Sequence, residues 1–139
     1  VIIISMVILL SLFSDWALLA ARLVLAAIFL AHGLPKLKSL KTTAQNFEMM
    51  GFKPGIFWGT IVAVVEFVGG LAVLVGLYTQ LAAPFLAIDM LVAVIWKMKR
   101  GQKLVGGYEL DLSIMSIALL LSTLGAGAYS LDNYWRIIL

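Results

Sequence analysis

Apolar positions along the chain fall into four long blocks, separated by two basic stretches and one short uncharged link. About 20 residues at a rise of about 1.5 Å cross a hydrocarbon core of about 30 Å. Blocks at about residues 16–34, 56–77, 79–96 and 109–127 therefore predict four membrane-crossing helices. The first opens at the capping pair Ser14-Asp15 and is expected to close at Gly33 and Pro35, residue types that end helices for backbone reasons. Residues 1–13 (VIIISMVILLSLF) are apolar but too short to cross, and read as an interfacial segment or an extension of the first span. A signal peptide fits less well: no basic stretch precedes this run and no small-x-small site follows it.

Between the blocks, TTAQNFEMMGF has the spacing of a short amphipathic helix lying on the membrane surface, which would turn Phe47, Met50 and Phe52 toward lipid. The tail AYSLDNYWRIIL, aromatic and amphipathic, suits the interface. The pattern thus predicts an all-α fold: an integral membrane four-helix bundle over residues 14–139, with short amphipathic segments at the interface.

Composition agrees. The chain is 63% hydrophobic and 12% charged, against roughly 45–50% and about 25% for a soluble domain. Its mean hydropathy is +1.10. The lipid bilayer is the first partner, and nucleic-acid binding has no support. Loops 35–55 and 97–107 share one face and hold Lys36, Lys38, Lys41, Lys53, Lys97, Lys99, Arg100 and Lys103, whereas the opposite face has Arg136. The positive-inside rule then puts both loops in the cytoplasm and both termini outside. With no cysteine, the chain has no disulfide, thiolate nucleophile, iron–sulfur cluster or c-type haem attachment. A single histidine also excludes a bis-histidine haem within one chain, and no nucleotide-binding fingerprint is present. An organic carrier is the redox option that remains.

Three ionisable residues fall inside the spans: Arg22, Glu66 and Asp89. Each costs roughly 2.5–3.5 kcal/mol at a helix centre, so they demand partners. Counted from the outer ends, Glu66 lies about 15 Å deep, Asp89 about 16 Å and Arg22 about 9 Å, and the long Arg22 side chain is expected to reach Glu66. Gly59, Ala63, Glu66 and Gly70 share a helix face, as do Arg22, Ala26 and Gly33, and small residues let a neighbouring helix approach. Phe85, Asp89, Ala93 and Trp96 line up on the third span, and Glu109, Ser113, Ser116, Thr123 and Gly127 on the fourth. Four inward stripes would make a common interior.

Such a cluster can simply hold helices together. Two acids against one Arg, however, leave a net negative interior or one protonated carboxyl, and a protonated carboxyl beside an ion pair can give or take a proton, as quinone chemistry requires. Glu66, His32 and Asp89 are the candidates for proton exchange. His32, near the loop end of the first span and level with Glu109 and Asp111, can shuttle protons or hydrogen-bond a quinone carbonyl, although a lone histidine there is more often an interface residue. A metal site from His32 and these acids fits no ligand spacing. Phe85 and Trp96 are the aromatic rings placed to stack on a ligand.

Arg22 followed by FLAHGLPKL, Glu66 with Gly69-Gly70, GLYTQLAAP at 76–84, GGYELDL at 106–112 and GAGAYSLD at 125–132, in that order, resemble the DoxX family of small four-helix membrane proteins. The resemblance covers nearly the whole chain after about residue 16, and its matching positions are Arg22, His32, Gly33, Lys36, Glu66, Gly70, Glu109 and Asp132. Gln80 stands where many members carry a basic residue. The family takes its name from a subunit linked with quinone-reducing thiosulfate oxidation and a terminal quinol oxidase. The resemblance therefore implies a bacterial or archaeal cytoplasmic membrane protein within a respiratory or redox complex.

On this reading, Arg22, His32, Glu66, Phe85, Trp96 and Glu109 form a quinone pocket, and electrons come from partner redox subunits, because this chain cannot itself oxidise an inorganic donor. The rival is a non-catalytic accessory or scaffold subunit; a small-solute transporter is weaker, since four spans lack an inverted repeat. A homo-oligomer is compatible with each. A quinone site needs an apolar entrance from lipid, whereas a scaffold can have a sealed interior.

Overall fold

The computed structural model describes residue 9 and residues 11–135; residues 1–8, 10 and 136–139 fall outside, and with them most of the N-terminal apolar run, Arg136 and the end of the tail. The elements are α1 (Ser14–Lys38), α2 (Leu40–Met49), α3 (Gly55–Val75), α4 (Thr79–Lys99), an irregular turn (Leu104–Tyr108), α5 (Glu109–Leu124) and α6 (Leu131–Trp135). No strand occurs among the described residues. Four helical segments, Ser14–Lys38, Gly55–Val75, Thr79–Lys99 and Leu104–Leu124, are long and apolar enough to cross a membrane. The protein is an all-α membrane bundle.

Several ends differ from the expected ones. The first helix runs through Pro35 to Lys38. A proline removes only its own N–H bond to the carbonyl four residues back, and so close to a helix end little remains to be broken. Gly33 is not a terminator but a contact: a Cβ there would stand 2.7 Å from the Phe67 backbone nitrogen. The second span stops at Val75 because Gly76 takes a left-handed conformation (φ 68°). The fourth stops at Leu124, where Gly125 turns the chain with φ 77°. Asp15, read as part of a cap, instead accepts a hydrogen bond from the Ala128 backbone N–H at 2.8 Å and ties down the loop after α5.

Helix α1 packs chiefly on α3, and α4 on α5. The tightly packed core of Leu25, Phe29, Val73, Ala83, Leu86, Ala87, Ile114, Ala118 and Leu121 joins the two pairs. Most of these residues belong to the half away from the basic loops, here called the far end. Outward faces carry Val64, Val68, Leu71, Leu91, Ile95, Leu119 and Leu120, all exposed, as lipid contact requires.

The inward stripes expected on α1 and α3 are buried: Arg22, Ala26 and Gly33 on one, Gly59, Ala63, Glu66 and Gly70 on the other. The stripe expected on α5 is reversed. Glu109, Ser113, Ser116 and Thr123 are exposed, and Ile114, Ala118 and Leu121 face the core. The hydroxyls have no need of a neighbouring helix, because Ser113 donates to the Glu109 carbonyl at 2.8 Å and Ser116 to the Leu112 carbonyl at 2.9 Å. Apolar burial then decides the rotation.

Helix α2 lies where the amphipathic stretch was expected, but its apolar side turns inward. Thr43 is buried against Gly59, and Gly55 donates its N–H to Glu48 Oε1 at 3.3 Å. Phe47, Met50 and Phe52, expected to touch lipid, instead line a cavity at the basic end. The helix returns over the start of α3, so this side packs toward the bundle, with Phe47, Met50 and Phe52 half-buried.

Candidate functional site

At the far end, Arg22 is 1% exposed and satisfies four carbonyls. Its Nε donates to Val73 O at 2.9 Å, Nη2 to Leu74 O at 2.8 Å, and Nη1 to Ala126 O at 3.1 Å and Tyr129 O at 2.7 Å. The first two are among the last four carbonyls of α3, where the helix dipole favours a cation, and Val73 O also accepts from the Gly76 N–H at 3.2 Å. Asp132 makes the complementary contact: its carboxylate accepts from the N–H groups of Tyr78 at 2.6 Å and Thr79 at 3.0 Å, capping α4. Arg22 and Asp132 thus weld the loops of the far end.

The expected Arg22–Glu66 pair does not form. Glu66 accepts instead from Lys36 Nζ at 2.5 Å. Side chains on a helix lean toward its N-terminus. Arg22 on α1 therefore leans toward the far end, away from Glu66, whereas Lys36 leans back into the bundle. Glu66 on the antiparallel α3 leans toward Lys36 in turn. Gly33 and Glu66 are level with each other, which leaves Arg22 eleven residues, or about 16 Å, away along α1.

Between the two helix pairs, at the basic end, lies a cavity of about 730 Å³. Its walls are apolar and aromatic, with Ile28 and Phe29 of α1, Trp58, Val62 and Val65 of α3, and Phe85, Ile88 and Trp96 of α4. Phe47, Met50 and Phe52 roof it, and the Trp96 indole N–H holds the roof by donating to the Met50 carbonyl at 2.9 Å. Trp58, Phe85 and Ile88 line the cavity and are 42%, 54% and 56% exposed, so its apolar wall reaches the surface of α3 and α4.

Five charged groups line it: the carboxylates Glu66, Asp89 and Asp111 and the ammoniums Lys36 and Lys97, a formal sum of −3 and +2, or −1. Lys97 pairs with Asp111 at 2.6 Å. Asp89 adjoins Glu66, near enough for a hydrogen bond between the carboxyls when one holds a proton. Glu66 Oε2 and Asp89 Oδ2 are buried without a hydrogen-bond partner among the described residues. Such oxygens are expensive to leave unpaired and point to a proton or a donor from elsewhere.

Of the residues singled out from sequence, His32, Glu66, Asp89, Phe85 and Trp96 line this one cavity. His32 is exposed at its edge. Arg22 and Glu109 do not line it. Glu109 is exposed and accepts from the Gly106 N–H at 3.0 Å, shaping the turn in which Gly106 has φ 75°. Lys36, Lys97 and Asp111 are additions. Lys36 was detectable: it continues the Arg22, Ala26, Phe29, Gly33 face at helical spacing, provided the helix passes Pro35.

These features define a four-helix integral membrane protein with a carboxylate-bearing cavity at one end. The DoxX family model matches residues 17–98, more than half the chain, and the chain belongs to that family. It is 34% identical over 121 residues to "Inner membrane protein YqjF" of Escherichia coli, covering 86% of this chain and 92% of that one. It is 28% identical over 116 residues to "Putative oxidoreductase CatD" of Bacillus subtilis, covering 84% of each. With "Uncharacterized membrane protein Rv3486" of Mycobacterium tuberculosis it shares 30% over 131 residues, covering 84% and 80%. No solved structure matches.

Proposed function

We propose that this chain is a quinone-interacting membrane subunit of a respiratory or redox complex, with the cavity as the quinone site. The observation that carries the reading is the pairing of an apolar cavity wall that reaches the surface at Trp58, Phe85 and Ile88 with a buried polar spot at Glu66 and Asp89. An amphipathic ring arriving from lipid meets aromatic walls first and carboxyl groups last. A volume of about 730 Å³ lies within the roughly 300–1,000 Å³ of small-molecule sites. A bound quinone supplies two-electron chemistry. The chain's own residues position the ring with Phe85 and Trp96, and hold or accept its protons at Glu66 and Asp89.

Lys36 donates to Glu66, and Asp89 stands beside that carboxyl on the cavity wall, so the two acids are placed where they can share one proton. Lys97 and Asp111, on the same cavity wall, continue the polar path toward the basic end. Electrons come from a partner subunit, because the chain has no cysteine and one histidine. The excess of Lys and Arg in loops 35–55 and 97–107 supports placing that end in the cytoplasm, with the termini outside. One relative's name as an oxidoreductase supports the redox class. A scaffold without a ligand would account for Arg22 and Asp132 but not for an apolar cavity wall that reaches the surface.

The test is to purify the protein in mild detergent from its native membrane, extract bound lipids and identify quinones and co-purifying proteins by mass spectrometry. A stoichiometric quinone, together with impaired quinone-linked electron flow in Glu66→Gln membranes, is expected. Absence of both would dismiss the reading.

A further inference from the structure

Where α2 turns into α3, the chain meets the end of α4. The Met50 carbonyl accepts from the Trp96 indole at 2.9 Å and, at 3.4 Å, from Arg100 Nη2. The Arg100 guanidinium lies over the Trp96 ring, 4.6 Å from its centroid, and this stacking fixes its plane. Its other N–H groups make no hydrogen bond among the described residues. Lys53 follows Met50 by three residues, so their Cα atoms are at most about 11 Å apart. Lys99 and Lys103 flank Arg100 in the chain. Lys53, Lys99, Arg100 and Lys103 are all exposed and form no ion pair among the described residues. The acids of the adjoining loops, Glu48 and Glu109, are turned to the backbone N–H groups of Gly55 at 3.3 Å and Gly106 at 3.0 Å.

Depth decides what this corner meets. Lys53 comes two residues before α3, and Lys99 and Arg100 close α4, so the cations stand at the ends of two apolar spans. Ile56, Phe57 and Trp58 at the start of α3 and Met98 at the end of α4 are exposed beside them. Exposed apolar side chains on a span face acyl chains, which puts the adjoining cations at headgroup level. We propose that this corner binds the headgroup of an anionic phospholipid in the surrounding leaflet. Arg100 takes phosphate oxygens through its free edge, Lys53 adds a second cation, and the acyl chains run down past Phe57 and Trp58. A planar guanidinium matches a phosphodiester, and a zwitterionic lipid, which carries its own ammonium, gains less from the surplus of cations. Lys38 and Lys41, by contrast, lie at the other end of the ten-residue α2, about 15 Å away, and have no stacked arginine beside them. The inference does not depend on what fills the cavity.

The test is native mass spectrometry of the full chain in detergent, titrated with phosphatidylglycerol and with phosphatidylcholine of the same acyl chains. Phosphatidylglycerol is expected to bind about tenfold tighter, the scale of two cations acting on one headgroup. Lys53→Gln combined with Arg100→Gln should bring the two lipids within about twofold of each other, whereas Lys38→Gln combined with Lys41→Gln should leave the preference intact. Should the Lys53 and Arg100 double variant fail to fold, Arg100→Lys, which keeps the charge but not the stacked fork, should still lower the preference by about threefold. Equal binding of the two lipids to the unaltered chain would overturn the proposal and leave the corner to an acidic protein partner. An equal loss in the two double variants would also overturn it, reducing the preference to diffuse charge. Displacement of phosphatidylglycerol by an equal concentration of inorganic phosphate would do the same, by showing a site for the free anion.

Discussion

Gly33 of α1 lies against Glu66 of α3 so closely that a Cβ on the glycine would stand 3.0 Å from the Glu66 Cβ and 2.7 Å from the Phe67 nitrogen. This contact sets the register of the helix pair and brings Lys36, three residues on, over the Glu66 carboxylate. Gly33→Ala must push two backbones apart. It should destabilise the bundle by about 1–3 kcal/mol, the range for overpacking. Gly69→Ala is expected to cost less, because its nearest neighbours are the flexible tip of Leu86, with Cδ2 at 2.9 Å. Thermal unfolding of both variants in one detergent gives the ranking; equal losses would show that the Gly33 contact is not special.

Arg22 serves four carbonyls through a planar fork, and a lysine cannot reach all four. Arg22→Lys should therefore lose at least about 2 kcal/mol, since each buried acceptor left unpaired costs roughly 1–3 kcal/mol. Denaturant titration in detergent would measure it. A variant as stable as the parent would mean that the far end is held by other contacts.

Asp132 caps α4 through two backbone N–H groups. Asp132→Ala is expected to cost about 1 kcal/mol, and Asp132→Asn less, as the amide oxygen preserves one acceptor. Hydrogen exchange at Tyr78 and Thr79 should rise in the alanine variant. Unchanged protection would remove the cap from the account.

Lys36 and Glu66 form a pair in which each exists for the other. Lys36→Met leaves Glu66 buried without its cation and should destabilise by about 3–5 kcal/mol, whereas adding Glu66→Gln should restore most of that loss. The double variant should fold yet fail to bind the ring. A double variant no more stable than Lys36→Met alone would argue against direct coupling.

The spans, the inward faces of α1 and α3 and the gathering of Glu66, Asp89, Phe85 and Trp96 were legible because hydropathy and helical period record which side of a helix is buried. The partner of Glu66 was not. Depth counted in residues ignores the lean of side chains toward a helix N-terminus, which turns Arg22 away and Lys36 inward. A proline read as a terminator also hid Lys36 from the buried face. The α5 stripe misled because Ser113 and Ser116 bond to their own helix, a partner that a polarity pattern does not display. The roof of Phe47, Met50 and Phe52 depends on how α2 folds back, which the amphipathic pattern leaves open between lipid and protein.

The central claim, that a quinone ring reaches Glu66 and Asp89 along the apolar wall of α3 and α4, is tested most directly by photolabelling with an azido-benzoquinone in native membranes, followed by peptide mass spectrometry. Label is expected on residues 58–66 and 85–96, suppressed by excess unlabelled quinone. Label spread over the lipid-facing residues of all four spans, and insensitive to that excess, would contradict it.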